Sequence, residues 1–368
     1  MSVRHANALT ARWASHLDDR QSVLSGAGAY PLLALLARHA AGPARDELRA
    51  VAPDLDDLGL DASPTTRLAV GFWSRRGLPL GEAWRRDVPA PMRGELTGDP
   101  AVDQPVLDHW AATRTDGLID RMPVRVDRGT ALVLATALSV RTGWATPFDP
   151  GWSQPRQGPW QGRRLAALRR RDDDLTALRV ADTAAGAVSL LTVTGDADVD
   201  VVLALGEPDR PAPAVLPAAI GALGGGPTRP RHAGPGVTEE TVEAFDDHPE
   251  LRVATVAFAV DADHDLLRRP ELFGLAAATG DGDHFPGISP RLNVDQARQA
   301  VRAEFSATGF RAAAVTAVAM RAGSAPPRHT VPKRVLRLDV DRPFGFLAVH
   351  RDTGLVLVAG WVTDPTPA

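Results

Sequence analysis

Asp261, Asp263 and Asp265 alternate like the opening of a calcium loop, but the glycine and the distal glutamate that would complete the ligand set are absent. Solvated acids at the end of a strand are the better reading. His264 and His284 have acidic neighbours, yet the ten histidines are scattered, and none shows the His-Glu-x-x-His spacing that aims two ring nitrogens from one helical face. Gly26 and Gly28 match a phosphate-binding loop only in part, since no Gly-Lys-Ser/Thr follows and the third glycine of a dinucleotide fingerprint is missing. Neither a metal nor another cofactor is expected. No Gly-x-Ser-x-Gly elbow marks a serine hydrolase. A triad assembled from distant residues, Ser25 or Ser139 with a remote histidine, stays as the minor alternative to a chain that is not an enzyme. The absence of cysteine removes thiolate chemistry and any disulfide framework.

The whole-chain quantities set wider bounds. A chain of 368 residues is long for one unit, but large mixed folds reach this length and can bury a sizeable core. With 44% hydrophobic and 23% charged residues it reads as globular, and a net charge of -4 gives no reason to expect a nucleic-acid partner. Residues 1–17 lack the apolar core of a secretory signal, and the longest apolar run, residues 131–140, is about half a membrane span. A cytoplasmic monomer off the membrane is the expectation. Arginine supplies nearly all the basic residues, with Lys333 the one lysine, and alanine, glycine and proline are abundant, as in proteins from GC-rich bacterial genomes.

The elements available to position a site follow from periodicity. Leu9, Trp13 and Leu17 recur four apart, so residues 6–17 predict an amphipathic helix, followed by a short strand at 21–25. Residues 31–39 predict a Leu-rich helix with Pro31 in its first turn, ending near Gly42. Residues 66–74 and 78–84 read as strand and then helix, turning at Arg75-Arg76-Gly77, with Trp73 in the core. The apolar run at 131–140 predicts a strand buried on both faces, the best central-strand candidate in the chain. Residues 151–174, where Arg169-Arg170-Arg171 precedes Asp172-Asp173-Asp174, predict a solvated loop or helix end, a basic binding site being the lesser alternative. Residues 188–193 and 200–205 predict a strand pair, 208–236 a surface loop and helix region, 253–260 a strand and 266–275 a helix.

Residues 307–324 fit none of these classes. From Ala312 to Ala319 every side chain is Ala, Val or Thr, so at ~25 cal/mol per Å² there is little to gain by burial. Alanine favours helix while Val315, Thr316 and Val318 favour strand, which leaves the state open. As a strand, Phe310, Ala312, Ala314, Thr316, Val318 and Met320 would share one face and Arg311 and Arg321 the other.

Gly309, the alanine run with Thr316, and then Ser324-Ala325-Pro326-Pro327 resemble the hinge and reactive-centre loop of the serpins, a family of protease inhibitors. Three further stretches resemble the family in its order. They are Trp110, Thr115, Gly117 and Ile119; Leu132-Val133-Leu134 through Trp144-Ala145-Thr146-Pro147-Phe148; and Asp341-Arg342-Pro343-Phe344 with Gly354, Gly360 and Pro365. Ser25-Gly26-Ala27-Gly28 resembles the family's Ser-Pro-x-Ser, with glycine at its second and fourth positions. The resemblance implies an α+β fold: a single serpin-like domain over residues 1–368, with a large mixed β-sheet, further sheets, several helices and an exposed loop at about 309–330.

It further implies an inhibitor of serine proteases that is cut in the loop, held as an acyl-enzyme and then inserts the loop as a strand. By register the reactive bond is Gly323–Ser324, which favours elastase- or subtilisin-like proteases, with Arg321, Arg328 or Arg334 as alternative targets. The hinge would be Gly309, Phe310, Arg311, Ala312, Ala313, Ala314, Val315 and Thr316. The sheet-opening region would comprise Ser25, Gly28, Thr136, Trp144 and Gln299. The chain departs from the family at several of these positions. Phe310 stands where a small residue is usual, an oversize expected to cost ~1–3 kcal/mol as insertion begins. Arg311, Ala307 and Thr308 replace acidic residues. Gly28, Thr136 and Gln299 replace a Ser, an Asn and a His, with Thr136 and Gln299 able to bond each other. These departures keep a non-inhibitory serpin, in a binding or folding-assistance role, as the alternative. An extracellular site would follow family habit.

Overall fold

The computed structural model describes residues 2–54, 58–60, 63–156, 158–310 and 330–368. In chain order the elements are α1 (Ser2–Ala14), β1 (Ser22–Leu24), α2 (Gly26–His39), α3 (Gly42–Val51) and β2 (Thr66–Arg75). There follow α4 (Glu82–Asp87), β3 (Arg93–Leu96), α5 (Pro100–Arg114), β4 (Leu132–Val140) and β5 (Thr142–Gly143). Next come β6 (Asp149–Ser153), β7 (Leu165–Asp172), β8 (Leu178–Thr183), β9 (Gly186–Val193) and β10 (Val199–Gly206). The second half holds α6 (Ala212–Leu223), β11 (Thr228–Arg229), β12 (Val237–Ala244), β13 (Glu250–Val256), β14 (Phe258–Asp265), α7 (Pro270–Phe273) and β15 (Arg298–Phe305). The chain closes with β16 (Gly309–Phe310), β17 (Val331–Asp339), β18 (Phe344–His350) and β19 (Leu355–Val362).

β18 and β19 are buried at every position, so their apolar runs have no polar alternation, and they sit in the middle of an antiparallel sheet ordered β1-β19-β18-β10-β9-β8-β11. α2 packs along this sheet and is buried nearly all round. A helix apolar on every side belongs in a core. It starts at Gly26, five residues before the predicted start, with Ser25 as N-cap, its hydroxyl accepting from the Gly28 N–H. The early start depends on small residues. A Cβ on Gly26 would lie 2.2 Å from the Thr10 hydroxyl of α1, so only glycine lets these two helices approach this closely. Pro31 therefore sits inside the helix rather than in its first turn.

The rest of the strands form a five-stranded sheet, β12-β17-β13-β7-β6, a four-stranded one, β14-β15-β16-β5, and a three-stranded one, β3-β2-β4. β13 runs parallel to β17 and β2 parallel to β3, which makes the architecture mixed as well as α+β. The predicted strand at 253–260 is broken at Ala257, where the chain leaves the five-stranded sheet as β13 and enters the four-stranded one as β14.

Two strand readings need correction. β4 alternates half-buried and buried rather than being buried on both faces, and it is an edge strand whose one sheet partner is β2. Its buried residues Val133 and Ala135 face a satellite core of Trp73, Leu96, Leu107 and Met122, while Leu132, Leu134 and Leu138 face the main core. An apolar run reports burial on two faces but not the presence of a neighbour on each edge. The second correction is the arginine run, which lies in β7 rather than in a solvated loop. Arg170 points inward, its guanidinium 5.0 Å over the Phe148 ring and 3.3 Å from Asp172, while Arg169 and Arg171 point to solvent.

Trp73 anchors the satellite core edge-on to Trp110 at 5.0 Å. Trp73→Ala is expected to destabilise the protein by ~3–5 kcal/mol, whereas Trp152→Ala, at a site 56% exposed, should change stability by no more than ~0.5 kcal/mol. Thermal and chemical melting of the two variants side by side checks this difference.

Candidate functional site

β4 and β15 face each other across a seam. No described residue pairs with the seam edge of β4, and β15 pairs on that side through Phe305–Phe310 alone. Between the two strands lies a cavity of ≈ 530 Å³, floored by Leu32, Leu33 and Leu36 of α2 and covered by Trp110 and Met122. A second pocket of ≈ 40 Å³ continues it upward to Phe310 and Val358. Unpaired strand edges lining a cavity are costly, because each N–H and C=O forgoes a ladder partner.

The top of the seam is closed by β16, which lies between β15 and β5. Gly309 pairs with Gly143, and a Cβ on Gly309 would come within 2.5 Å of the Thr142 carbonyl, so the approach requires glycine. Trp144 holds the turn before it. Its backbone N–H donates to the Thr308 carbonyl at 3.1 Å, and its indole N–H donates to Ser306 at 2.9 Å. β5 is gripped from its other side by the turn after β9. The Asp196 carboxylate accepts from the Gly143 N–H at 3.1 Å, and the Asp196 N–H donates to the Gly143 carbonyl at 2.9 Å.

Phe310 is 2% exposed, its ring 6.0 Å from that of Phe346. Phe346 in turn meets Phe258 at 4.8 Å, Phe258 stacks on Phe305 at 5.3 Å, and Phe305 touches Trp144 at 4.8 Å. Each aromatic pair adds ~0.5–1.5 kcal/mol beyond its buried area. In the intact protein the Phe310 side chain already occupies a fitted place at the head of the seam.

Lower down, the N-terminal turn of α2 holds both seam strands separately. Gln299 of β15 accepts from the Ser25 N–H at 2.9 Å and donates to the Ser25 carbonyl at 2.8 Å, pairing with this backbone as a strand would. Thr136 of β4 donates to the Gly28 carbonyl at 2.6 Å. The Ser25 hydroxyl donates to Leu357 of β19 at 2.6 Å, tying the turn to the large sheet. Thr136 and Gln299 thus bond the helix turn and not each other, contrary to expectation. Gly28 leaves room for this, since a Cβ there would lie 3.3 Å from the Gln299 amide.

No protein-family model matches the chain. Among curated proteins, the putative serpin-Z6C of Oryza sativa subsp. japonica is 26% identical over 331 residues, covering 82% of this chain and 75% of its own length. Serpin-Z2B of the same organism is 30% identical over 150 residues, or 36% of this chain and 35% of its own. Among solved structures, thyroxine-binding globulin in complex with thyroxine superposes with a TM-score of 0.72 at 14% identity, covering 99% of both chains. The thermophilic serpin tengpin in its native state gives 0.74 at 13%, covering 98% of this chain and 94% of its own. The chain has the serpin fold, and its sequence is similar to serpins over most of its length.

The structure brings Ser25, Gly28, Thr136 and Gln299 together at one turn, and places Gly309, Phe310 and Trp144 at the head of the same seam. The other predicted hinge residues, Arg311 to Thr316, and the bond Gly323–Ser324 lie outside the described residues. Two participants were missed from sequence. Asp196 falls in an unremarkable turn, and His264, read as one of many scattered histidines, pairs across the ladder with Gln299. His264 Nε2 lies 2.8 Å from the Val23 carbonyl, with the ring edge-on to Trp13. Burial pushes the His264 pKa down, against the Val23 bond and Asp263, which favour the charged form. Burial likewise lowers His39, against Asp87.

Two outcomes follow. Gln299→Leu removes both bonds to Ser25 and strands a backbone donor and acceptor, so the intact protein should lose ~1–3 kcal/mol, seen as a lower melting temperature. A histidine whose folded pKa is depressed contributes stability that is complete above its unfolded pKa of ~6.5 and is lost as pH falls through that value toward the folded pKa. The intact protein should therefore melt lower at pH 5.5 than at pH 7.5. His264→Gln should reduce this difference, leaving the share from His39.

Proposed function

We propose that the protein inhibits serine proteases by inserting its loop into the seam between β4 and β15. The observation that carries this reading is the seam itself: two facing strand edges that, below Phe305–Phe310, have no ladder partner among the described residues, a cavity between them, and Phe310, two residues before the small-residue run, already seated at its head. In the proposed sequence a protease serine oxygen attacks the Gly323 carbonyl and the bond to Ser324 breaks, its nitrogen leaving as the new amino terminus. The ester holds the protease on the free end at Gly323. Residues after Phe310 then enter the seam, where Ala312, Ala314, Thr316 and Val318 supply small side chains on the inward face. Nine residues fill the length of β4, about 30 Å at ~3.3 Å per residue.

Each new residue pairs with edges that no described residue occupies, which supplies the driving force. β4 and β15 are each tethered to α2, so widening the seam between them spares those bonds, while the Gln296 side chain, which bonds the Arg125 backbone across the lower end, has to let go. The strand can form faster than water reaches the ester only if the hinge moves freely, and here the second reading has its support. Phe310 is locked among aromatic rings, which ties the hinge down and suits a serpin that does not inhibit. One fold neighbour is described with bound thyroxine, so the architecture is compatible with a carrier role as well.

Incubation with a panel of elastase- and subtilisin-type proteases separates the two readings. An inhibitor gives complexes stable to denaturing electrophoresis, and protein cut once near Gly323 melts at a substantially higher temperature than intact protein. A single clean cut with an unchanged melting temperature and no complex from any protease would sink the inhibitor reading. Phe310→Thr tests the hinge: it should lower the melting temperature of intact protein, because a cavity opens beside Phe346, and it should not increase the fraction of encounters that end as complex. An increased fraction would restore Phe310 as the obstruction.

A further inference from the structure

β12 and β17 pair along Val237↔Leu338 to Ala244↔Val331, whereas β13 joins β17 only from Glu250↔Val335 onward. Residues 331–334 and 241–244 therefore form a two-stranded ribbon that overhangs its sheet by four pairs, about 13 Å at ~3.3 Å per residue. The reactive loop joins the protein at the tip of this overhang. There Phe245 is 60% exposed and Val331 40%, neighbours through the Ala244↔Val331 pair. An exposed phenylalanine beside an exposed valine at a projecting tip gains nothing for the fold.

The tip is also held rigid. The Lys333 ammonium lies 3.0 Å from Asp246 and 3.1 Å from Glu250, the Asp246 carboxylate accepts from the His248 N–H at 3.1 Å, and Arg334 pairs with Glu239. These contacts consume the ribbon's two cations. Asp247 is 82% exposed with only His248 near it at 3.8 Å, and the exposed Glu243 has no cation paired with it among the described residues. The result is an apolar knob in an acidic rim.

We propose that this tip, centred on Phe245 and Val331, is a second contact surface for the protease that attacks the loop, and that it favours a protease with a cationic rim beside its active-site cleft. The proposal rests on the inhibitor reading above. Val331 is seven residues beyond Ser324, so the bond and the tip are at most ~25 Å apart along an extended chain. A protease domain of about 220 residues has a radius of gyration of about 17 Å. A protease clamped on Gly323–Ser324 therefore reaches the tip, and its charge decides whether the encounter is favoured.

The test measures the second-order rate at which intact protein is consumed, counting complex and cleaved product together, so that it reads docking whether or not inhibition follows. The probes are neutrophil elastase, a cationic protease, and subtilisin. With elastase, Phe245→Ser is expected to slow attack five- to tenfold. Asp247→Lys should slow it several-fold and flatten its dependence on salt, and neither change should move the fraction that ends as complex. With subtilisin both effects should be smaller. Val102→Ser, at an exposed site on α5, serves as control, and unchanged melting temperatures establish that the variants fold. Elastase rates within twofold of the parent for both variants overturn the proposal and leave the inhibitor reading standing. Cleavage without complex in parent and variants, but slowed by Phe245→Ser, removes inhibition and keeps the surface. A failure of both proteases to cut the loop removes both. A concentration-dependent dimer dissolved by Phe245→Ser would reassign the tip to self-association and overturn the proposal.

Discussion

The backbone hydrogen bonds that the facing edges of β4 and β15 do not make with any described residue are the constraint on which the rest depends. A strand edge in contact with a cavity loses roughly what a broken ladder costs at each residue, and two such edges face each other here over most of their length. A fold carrying that deficit needs other interactions to hold the seam at its width. They lie at its two levels: the aromatic cluster around Phe310 and Phe346 at the head, and the α2 turn at mid-height. Both are local: the α2 turn holds each seam strand to the body of the protein, while at the head Trp144 meets Phe305 and Ser306 directly.

This arrangement makes the two ends of the loop unequal. On its N-terminal side the chain is secured by the two residues of β16, wedged between β15 and β5. On its C-terminal side β17 is an interior strand, paired with β12 through eight residues and with β13 through five, and stitched by Lys333 and Arg334 to acids on both neighbours. Burial disfavours a charged Glu250, yet the bonds from Arg252 and Lys333 outweigh it and hold its carboxyl below the usual range, so the pairing is intact at neutral pH. Stripping β17 from its sheet would break two ladders at once, whereas β16 is held through two residues.

The family resemblance was legible because it rests on residues with fixed jobs. Trp144 donates its indole N–H to the chain opposite, and Thr115 closes the end of α5 by bonding Ala111 and Ile119. Neither job can be moved a residue without being lost. The α+β class came with the resemblance, and most elements followed from periodicity. What escaped was whatever depends on who sits next to whom. The apolar run of β4 reads as a doubly buried central strand, and nothing in its sequence says that one neighbour is missing. Arg170 reads as solvated because the Phe148 ring beneath it is 22 positions away in the chain. The partners of Thr136 and Gln299 were misjudged for a related reason. Side-chain chemistry allows them to bond each other, and the choice is made by the α2 turn, whose carbonyls are present only because glycines at 26 and 28 let the helix begin early.

Phe310 shows how the same residue changes meaning with its surroundings. Judged by size, it is an obstacle to a strand that must slide into a narrow site. Judged by contacts, it fills the head of the seam against Phe346 and so contributes to the stability of the starting state. These are different physical claims. An obstacle raises the barrier to insertion without stabilising the intact protein, whereas a seated side chain stabilises the intact protein and raises the barrier only if it must leave its place. In a strand that extends downward from β16, Phe310 keeps its pairing with Phe305 while Ala312 and Ala314 take the next inward positions. An insertion of the proposed kind would then build on the seated ring rather than displace it, and would bring the small residues that follow against the cavity and not the aromatic cluster.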